Sequence, residues 1–282
     1  MSVWLPVMTG AALLVAAVLV ACYRYGVHNL FIRQEDGLVG KVTWEDMGPT
    51  PGADDGCTPQ GIAWVNGRLM FASSCRDTLS RIYEIDPTNI VVLRAFDMPA
   101  EAVHTSGLSW DGSTLWAVDY ISNKAYRIDL EPSLASGRAV VSGSFDTGLG
   151  GTSACAMVEW EGKSLLAISD FMRTGRTYLV RPEEALAAGN GLAAVEFSYE
   201  NEGFSQGLEF AEGSLFETEN KFRSAVVNRL DLARLKETGS ARASIVKQYP
   251  APDRGVEDLV LGDGYMWTSD EHVFRIFRGR LE

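Results

Sequence analysis

Five segments of the chain can be laid over one another, and that repetition restricts the fold more than any other feature of the sequence. They read "QGIAWVNGRLMFASS" from Gln60, "SGLSWDGSTLWAVD" from Ser106, "AMVEWEGKSLLAIS" from Ala156, "QGLEFAEGSLFETE" from Gln206 and "EDLVLGDGYMWTSD" from Glu257, at intervals of 46, 50, 50 and 51 residues. A second landmark, the residue opening the second strand (Leu69, Leu115, Leu165, Leu215, Met266), returns the same four intervals. Each segment has two apolar runs of strand length around a turn such as Asn66-Gly67, a pair that favours a tight hairpin. A third strand follows in every unit ("RIYEID", "AYRIDL", "TYLVRP", "VNRLDL", "VFRIFR"), and a fourth in the first four ("VVLRAFDM", "RAVVSGSFD", "AAVEFSY", "ASIVKQY"). The last unit ends with the chain, one strand short. "GKVTWEDMG", Gly40 to Gly48, precedes the first unit and can supply that strand.

An all-β, five-bladed β-propeller over residues 31–282 is therefore expected, its N-terminal strand closing the last blade so that no sheet edge is left open between the ends. A six-bladed ring would need a repeat that the sequence lacks. The inner strands are apolar without alternation, as strands covered on both faces are, so Trp64, Trp110, Trp160 and Phe210 are assigned to packing between blades.

In such a ring the first strand of each blade begins at the face where the second ends. One rim should then collect Gln60, Ser106, Ala156, Gln206 and Glu257 with Ser73, Asp119, Ser169, Glu219 and Asp270, beside His104, Tyr120, Asp170, Phe171, Asp258, Glu271 and His272. Singly, each polar residue at a strand end can be explained by hydrogen bonds to its own turn. Together they converge on one tunnel mouth and suit a ligand pocket. Glu217 is the exception inside a strand: its slot holds Phe71, Ala117, Ala167 and Thr268 in the other units. A carboxyl there needs a donor or a raised pKa, and Arg223 or Asn228 is the expected partner.

The stretch "FSQGLEF…GSLFETENKFRSAVVNRLDL", from Phe204, resembles the signature of the plant and bacterial type glutaminyl cyclases. Those enzymes open a blade with Phe-Thr-Gln-Gly-Leu, follow it with Leu-Tyr-Glu-Ser-Thr-Gly, and begin the next blade with Glu-Gly-Leu. Here the next blade begins "VEDL". The resemblance implies a five-bladed propeller that cyclises N-terminal glutamine with loss of ammonia and without zinc. It implies Glu257 as the general acid/base, Gln206 as the amide that orients substrate, and Phe204 and Trp267 as aromatic walls, with Tyr120 able to stand in for another and Arg173 or Arg176 supplying a basic group. The signature lies in the fourth repeat here and in the family's first blade.

A formal charge of −12 argues against a nucleic-acid partner, which needs clustered cations to displace phosphate counterions. It suits a cationic ligand better. Val3 to Cys22 carries no charged residue, long enough as a helix to span a bilayer core of ~30 Å, so residues 1–30 are read as a transmembrane or signal-anchor segment and linker. "LVAC" at Leu19 to Cys22 also resembles a lipobox with Cys22 acylated. Arg24, Arg33 and Lys41 beyond the span favour a cytoplasmic propeller. Cys57 and Cys75 favour the opposite side: they sit one position out of direct register at the mouth of the first hairpin, where a disulfide is feasible and two free thiols are the alternative. The expectation is a single-pass, membrane-anchored protein with its propeller outside the cytoplasm, and Cys155 as a core thiol.

His28, His104 and His272 are scattered and match no zinc spacing, so no metal is assigned. "GLGGTS" at Gly148 lacks the lysine of a phosphate loop, and no Ser-His-Asp triad assembles. Three functions remain open. The first is a propeller that binds a peptide N-terminus or small molecule through Gln60, Ser106, Asp119, Tyr120, Phe204, Gln206, Trp267 and Asp270, with no cofactor. The second is a cyclase using Glu257 and Gln206. The third is a calcium-dependent lactonase or esterase with Glu257, Asp119 and Asp170 as oxygen ligands.

Overall fold

The computed structural model describes residues 37–171, 175–221 and 224–282. The anchor stretch Val3 to Cys22, Arg173 and Arg223 lie outside the described residues. Among the described residues no helix is long and apolar enough to cross a membrane.

The strands form five separate four-stranded antiparallel sheets. Blade one is β2 (Cys57–Val65), β3 (Arg68–Cys75), β4 (Leu79–Asp86) and β5 (Val91–Asp97); blade two is β6 (Thr105–Trp110), β7 (Leu115–Asp119), β8 (Lys124–Ile128) and β9 (Val141–Asp146). Blade three is β10 (Thr152–Trp160), β11 (Lys163–Asp170), β12 (Arg176–Val180) and β13 (Val195–Glu200); blade four is β14 (Leu208–Ala211), β15 (Ser214–Lys221), β16 (Ser224–Asp231) and β17 (Ile245–Pro250). Blade five is β18 (Val256–Gly262), β19 (Tyr265–Asp270) and β20 (Arg275–Leu281), and β1 (Val42–Pro49) pairs antiparallel with β20 as its outer strand. The ring is closed as the repeats require.

Apolar layers between blades hold the ring together. Ile62, Leu69 and Phe71 of blade one pack on Val260 and Trp267 of blade five, and Trp116, Val118 and Phe145 of blade two pack on Cys155, Leu166 and Ile168 of blade three. Trp64 stacks on Trp267 with ring centroids 6.1 Å apart, as its assignment to packing predicts. Cys155 is fully buried, and that burial pushes its thiol well above the ordinary range.

The inner strands approach one another closely at the tunnel. A Cβ on Gly107 would lie 2.8 Å from the Ala154 backbone, and one on Gly207 would lie 2.7 Å from Asp258 Cα. The glycine of each "SGL" or "QGL" opening is thus demanded by the neighbouring blade. Four of the inner strands slip register at this level, between Pro59 and Ile62, Thr105 and Gly107, Thr152 and Ala154, and Val256 and Leu259. The slip in blade one puts Cys57 directly opposite Cys75, where they form a disulfide with Cα atoms 4.0 Å apart. The one-position offset expected from the hairpin is the residue absorbed by this bulge.

Blade three departs from the sequence alignment. Thr152 faces Asp170 as Thr105 faces Asp119, and Ser153 Oγ donates to Ser205 O (2.6 Å) as Ser106 Oγ donates to Thr152 O (2.7 Å). Ser153, rather than Ala156, therefore opens this blade, and Asp170, rather than Ser169, ends its second strand. The hairpin closes on Trp160 opposite Lys163, further along both strands than its counterparts, and a shorter lead-in hides that extension from residue spacing.

Candidate functional site

Asp258 lies at the centre of the tunnel, fully buried, and accepts backbone N–H groups from four inner strands: Ile62 (3.1 Å), Leu108 (3.2 Å), Leu208 (3.3 Å) and its own neighbour Leu259 (2.9 Å). The inner edge of a propeller sheet has no strand to pair with, and this one carboxyl satisfies its amides in four blades of the ring. Burial pushes the Asp258 carboxyl well above its ordinary range, against the pull of those N–H groups.

Above it, the strand openings surround a cavity of about 500 Å³ at the tunnel mouth. Gln60 and Ser106 line it from two inner strands and Gln206 from the lead-in to a third, with Tyr120, Phe171, His104, Asp77, Arg76 and Glu271 from the connecting bends. Gln206 Nε2 donates to Glu257 Oε1 at 3.1 Å. Glu257 is 1% exposed and stands behind Gln206, outside the cavity lining. Burial pushes its carboxyl well above the usual range, and the carboxyls of Glu271, Asp258 and Asp270 push the same way.

One wall is aromatic. His104 packs on Tyr120 (centroids 5.4 Å apart), Tyr120 meets Phe171 edge-on (6.4 Å), and Phe171 meets Phe204 edge-on (5.4 Å). Lys221 Nζ lies 5.5 Å above the Phe204 ring. Phe204 thus supports Phe171 from behind and does not line the cavity. Beside His104 the lining continues into the bend after the disulfide: Asp77 Oδ1 accepts from Ser74 Oγ (3.1 Å) and pairs with His104 Nδ1 (2.7 Å), which holds the Asp77 carboxyl below its usual range.

Besides Glu257 and Phe204, three more expected site residues lie outside the cavity lining. Asp119 is fully buried and accepts N–H groups from His104, Ile121 and Ser122; Asp270 accepts those of Gly255, His272 and Val273. Both carboxylates tie the bend after the second strand to the lead-in of the first. Trp267 faces blade one because strand alternation points it along with Val260 into the layer between blades, where its indole N–H donates to Gly262 O (3.1 Å). Among the described residues no group of three or more His, Cys, Asp or Glu side chains is arranged to hold a metal ion.

Glu217 lies apart from the cavity, 2% exposed, between blades three and four. Neither carboxyl oxygen has a hydrogen-bond partner, and the Tyr199 and Ser205 hydroxyls are likewise unpartnered. Burial raises its pKa to about 8, and the neighbouring Glu219 carboxyl pushes the same way. Asn228 sits opposite Glu217 in register yet donates to Glu219 Oε2 (3.0 Å) instead. Sequence reasoning passed over Arg76, whose only signal was its place in the bend after Cys75, and overlooked the hub role of Asp258, which no local pattern marks.

Fold and site together define a five-bladed β-propeller with a polar cavity, backed by a buried carboxyl, at one mouth of its tunnel. Among solved structures the chain is similar to the glutaminyl cyclase of Myxococcus xanthus, with a TM-score of 0.62 over 86% of this chain and 98% of that one, at 14% identity. At that identity the likeness is one of fold. A chain of a mitotic checkpoint complex is more distant, with a TM-score of 0.45, 13% identity, and coverage of 78% of this chain and 63% of that one. No family model matches the chain, and no curated protein matches it in sequence.

Proposed function

We propose that the cavity binds an amine-bearing small ligand, a peptide N-terminus above all, and that Gln206 and Glu271 are the polar groups it meets. The observation that carries this reading is the Gln206–Glu257 contact at the cavity wall, an amide aimed by a carboxyl buried behind it. A cationic amine also suits the carboxyl-rich surroundings of that contact.

A second reading is favoured by the same pair: cyclisation of N-terminal glutamine, as the name of the Myxococcus protein describes for that protein. The α-amine nitrogen would attack the side-chain amide carbon of the substrate, the C–N bond to the leaving group would break, and one proton would pass from the amine to the departing ammonia. Glu257, whose carboxyl burial pushes above its ordinary range, suits that transfer, and Gln206 would turn aside to admit the substrate to it. Ammonia released from a Gln-initiated tripeptide, followed with the full-length chain and with Glu257→Gln, tests this. Release that the variant abolishes supports cyclisation. Binding of the peptide without ammonia leaves the cavity as a binding site only.

The same proposal places the propeller outside the cytoplasm, tethered through the Val3 to Cys22 stretch, where a Cys57–Cys75 disulfide persists. The calcium reading gains no support from Asp119, whose carboxylate already accepts three backbone N–H groups.

A further inference from the structure

Two charged side chains that line the cavity have no ion-pair partner among the described residues: Arg76 and Glu271. Asp77 and His104, which also line it, are taken up with each other. The cavity therefore offers one unmatched cation and one unmatched anion, with Gln206 and Gln60 and the Tyr120–Phe171 wall also lining it.

Arg76 is held there by a costly piece of backbone. Arg76 and Asp77 both have left-handed conformations, φ 57° and 51°, in the bend where Thr78 N–H donates to Cys75 O (3.2 Å). Such a turn ordinarily takes Asn or Gly. It persists because the surroundings over-determine it: Cys75 is tied to Cys57 immediately before it, and the Asp77 side chain is held by Ser74 and His104. The result is an arginine whose backbone is fixed at the edge of the cavity that its side chain lines. A guanidinium fork matches a carboxylate with two parallel hydrogen bonds.

We infer that the ligand is a short zwitterion, a peptide of two or three residues whose free α-ammonium lies at Glu271 beside Gln206 and whose free C-terminal carboxylate is taken by Arg76, its side chains resting on Tyr120 and Phe171. This rests on the amine-binding reading above and adds Arg76 as the residue that selects for a free carboxylate and against the N-terminus of a long chain.

The test is calorimetric binding of Ala-Phe-Ala, which cannot cyclise, in three forms: both termini free, C-terminally amidated and N-acetylated. Each is titrated into the full-length protein and into Arg76→Gln, which keeps the bend and removes the charge at an exposed position. Amidation is expected to weaken binding to the wild type about tenfold, the scale of one charge-assisted hydrogen-bonded contact. Arg76→Gln is expected to bind the acid and the amide alike, at the level of the wild type with the amide. Equal affinity of acid and amide for the wild type overturns the inference. N-acetylation that costs nothing overturns the amine reading instead, while a wild-type preference for the acid would still assign Arg76. Failure of all three forms to bind overturns both.

Discussion

Glu217 gives a prediction that can be worked through in numbers. The carboxyl is almost fully buried with both oxygens unpartnered, and its pKa rises from 4.5 to about 8. A folded pKa above the unfolded one means that the folded state holds its proton longer. Below pH 4.5 both states are protonated and the group is neutral to stability. As pH rises to 8 the unfolded chain gains a solvated charge that the folded chain does not, so stability falls throughout that window and levels off above it. At ~1.4 kcal/mol per pH unit the full loss approaches roughly 5 kcal/mol, an upper figure because water reaching the ionised group would reduce it. Glu217→Gln keeps the shape and removes the titration. Urea unfolding at pH 5, 7 and 9 should show the variant within about 1 kcal/mol of wild type at pH 5 and more stable by about 2–4 kcal/mol at pH 9. Glu209, also raised to about 8 by burial, titrates in the same window, so the difference between the two proteins at each pH is the quantity to read. Parallel pH profiles for the two proteins would refute the argument.

Asp258→Ala strips the acceptor from N–H groups in three other blades and should destabilise the protein by about 3–6 kcal/mol in chemical unfolding, with Asp258→Asn losing less because one carbonyl oxygen remains. Equal, small losses in both would mean that water replaces the hub. Replacing Cys57 and Cys75 together by Ser should cost about 3 kcal/mol, the chain-entropy value for a cross-link across 18 residues, read as a drop in melting temperature that reductant does not deepen. Deleting residues 1–49 removes β1 and leaves β20 as a bare edge; gel filtration should show association or loss of the folded monomer, and an intact monomer would show that the fifth blade stands on three strands.

Much of the fold was legible because a propeller is periodic in sequence as well as in space. The strand count, the missing fourth strand of the last unit and its replacement from Gly40 to Gly48 followed from repeat spacing alone. The short helices α1 (Leu130–Ser136), α2 (Pro182–Ala188) and α3 (Leu232–Thr238), between the third and fourth strands of blades two to four, were not called, although each closes on a glycine at the same distance. Their helical stretches are too short for a periodic signal to stand out from a loop.

The sequence by itself determined the ring, its closure and the rim on which polar residues gather, whereas the Gln206–Glu257 contact was implied only by the family resemblance and is seen in the structure. Tertiary structure decided the rest. Asp119 and Asp258 look alike as acidic residues near strand ends, yet one caps a bend and the other receives amides from four blades. Trp267 and Tyr120 look alike as aromatic walls, yet one is turned into the layer between blades and the other to the cavity. The reason is physical: spacing along a strand sets the level at which a side chain sits, whereas bulges and the packing of the next blade set the direction in which it points, and those are properties of the closed ring.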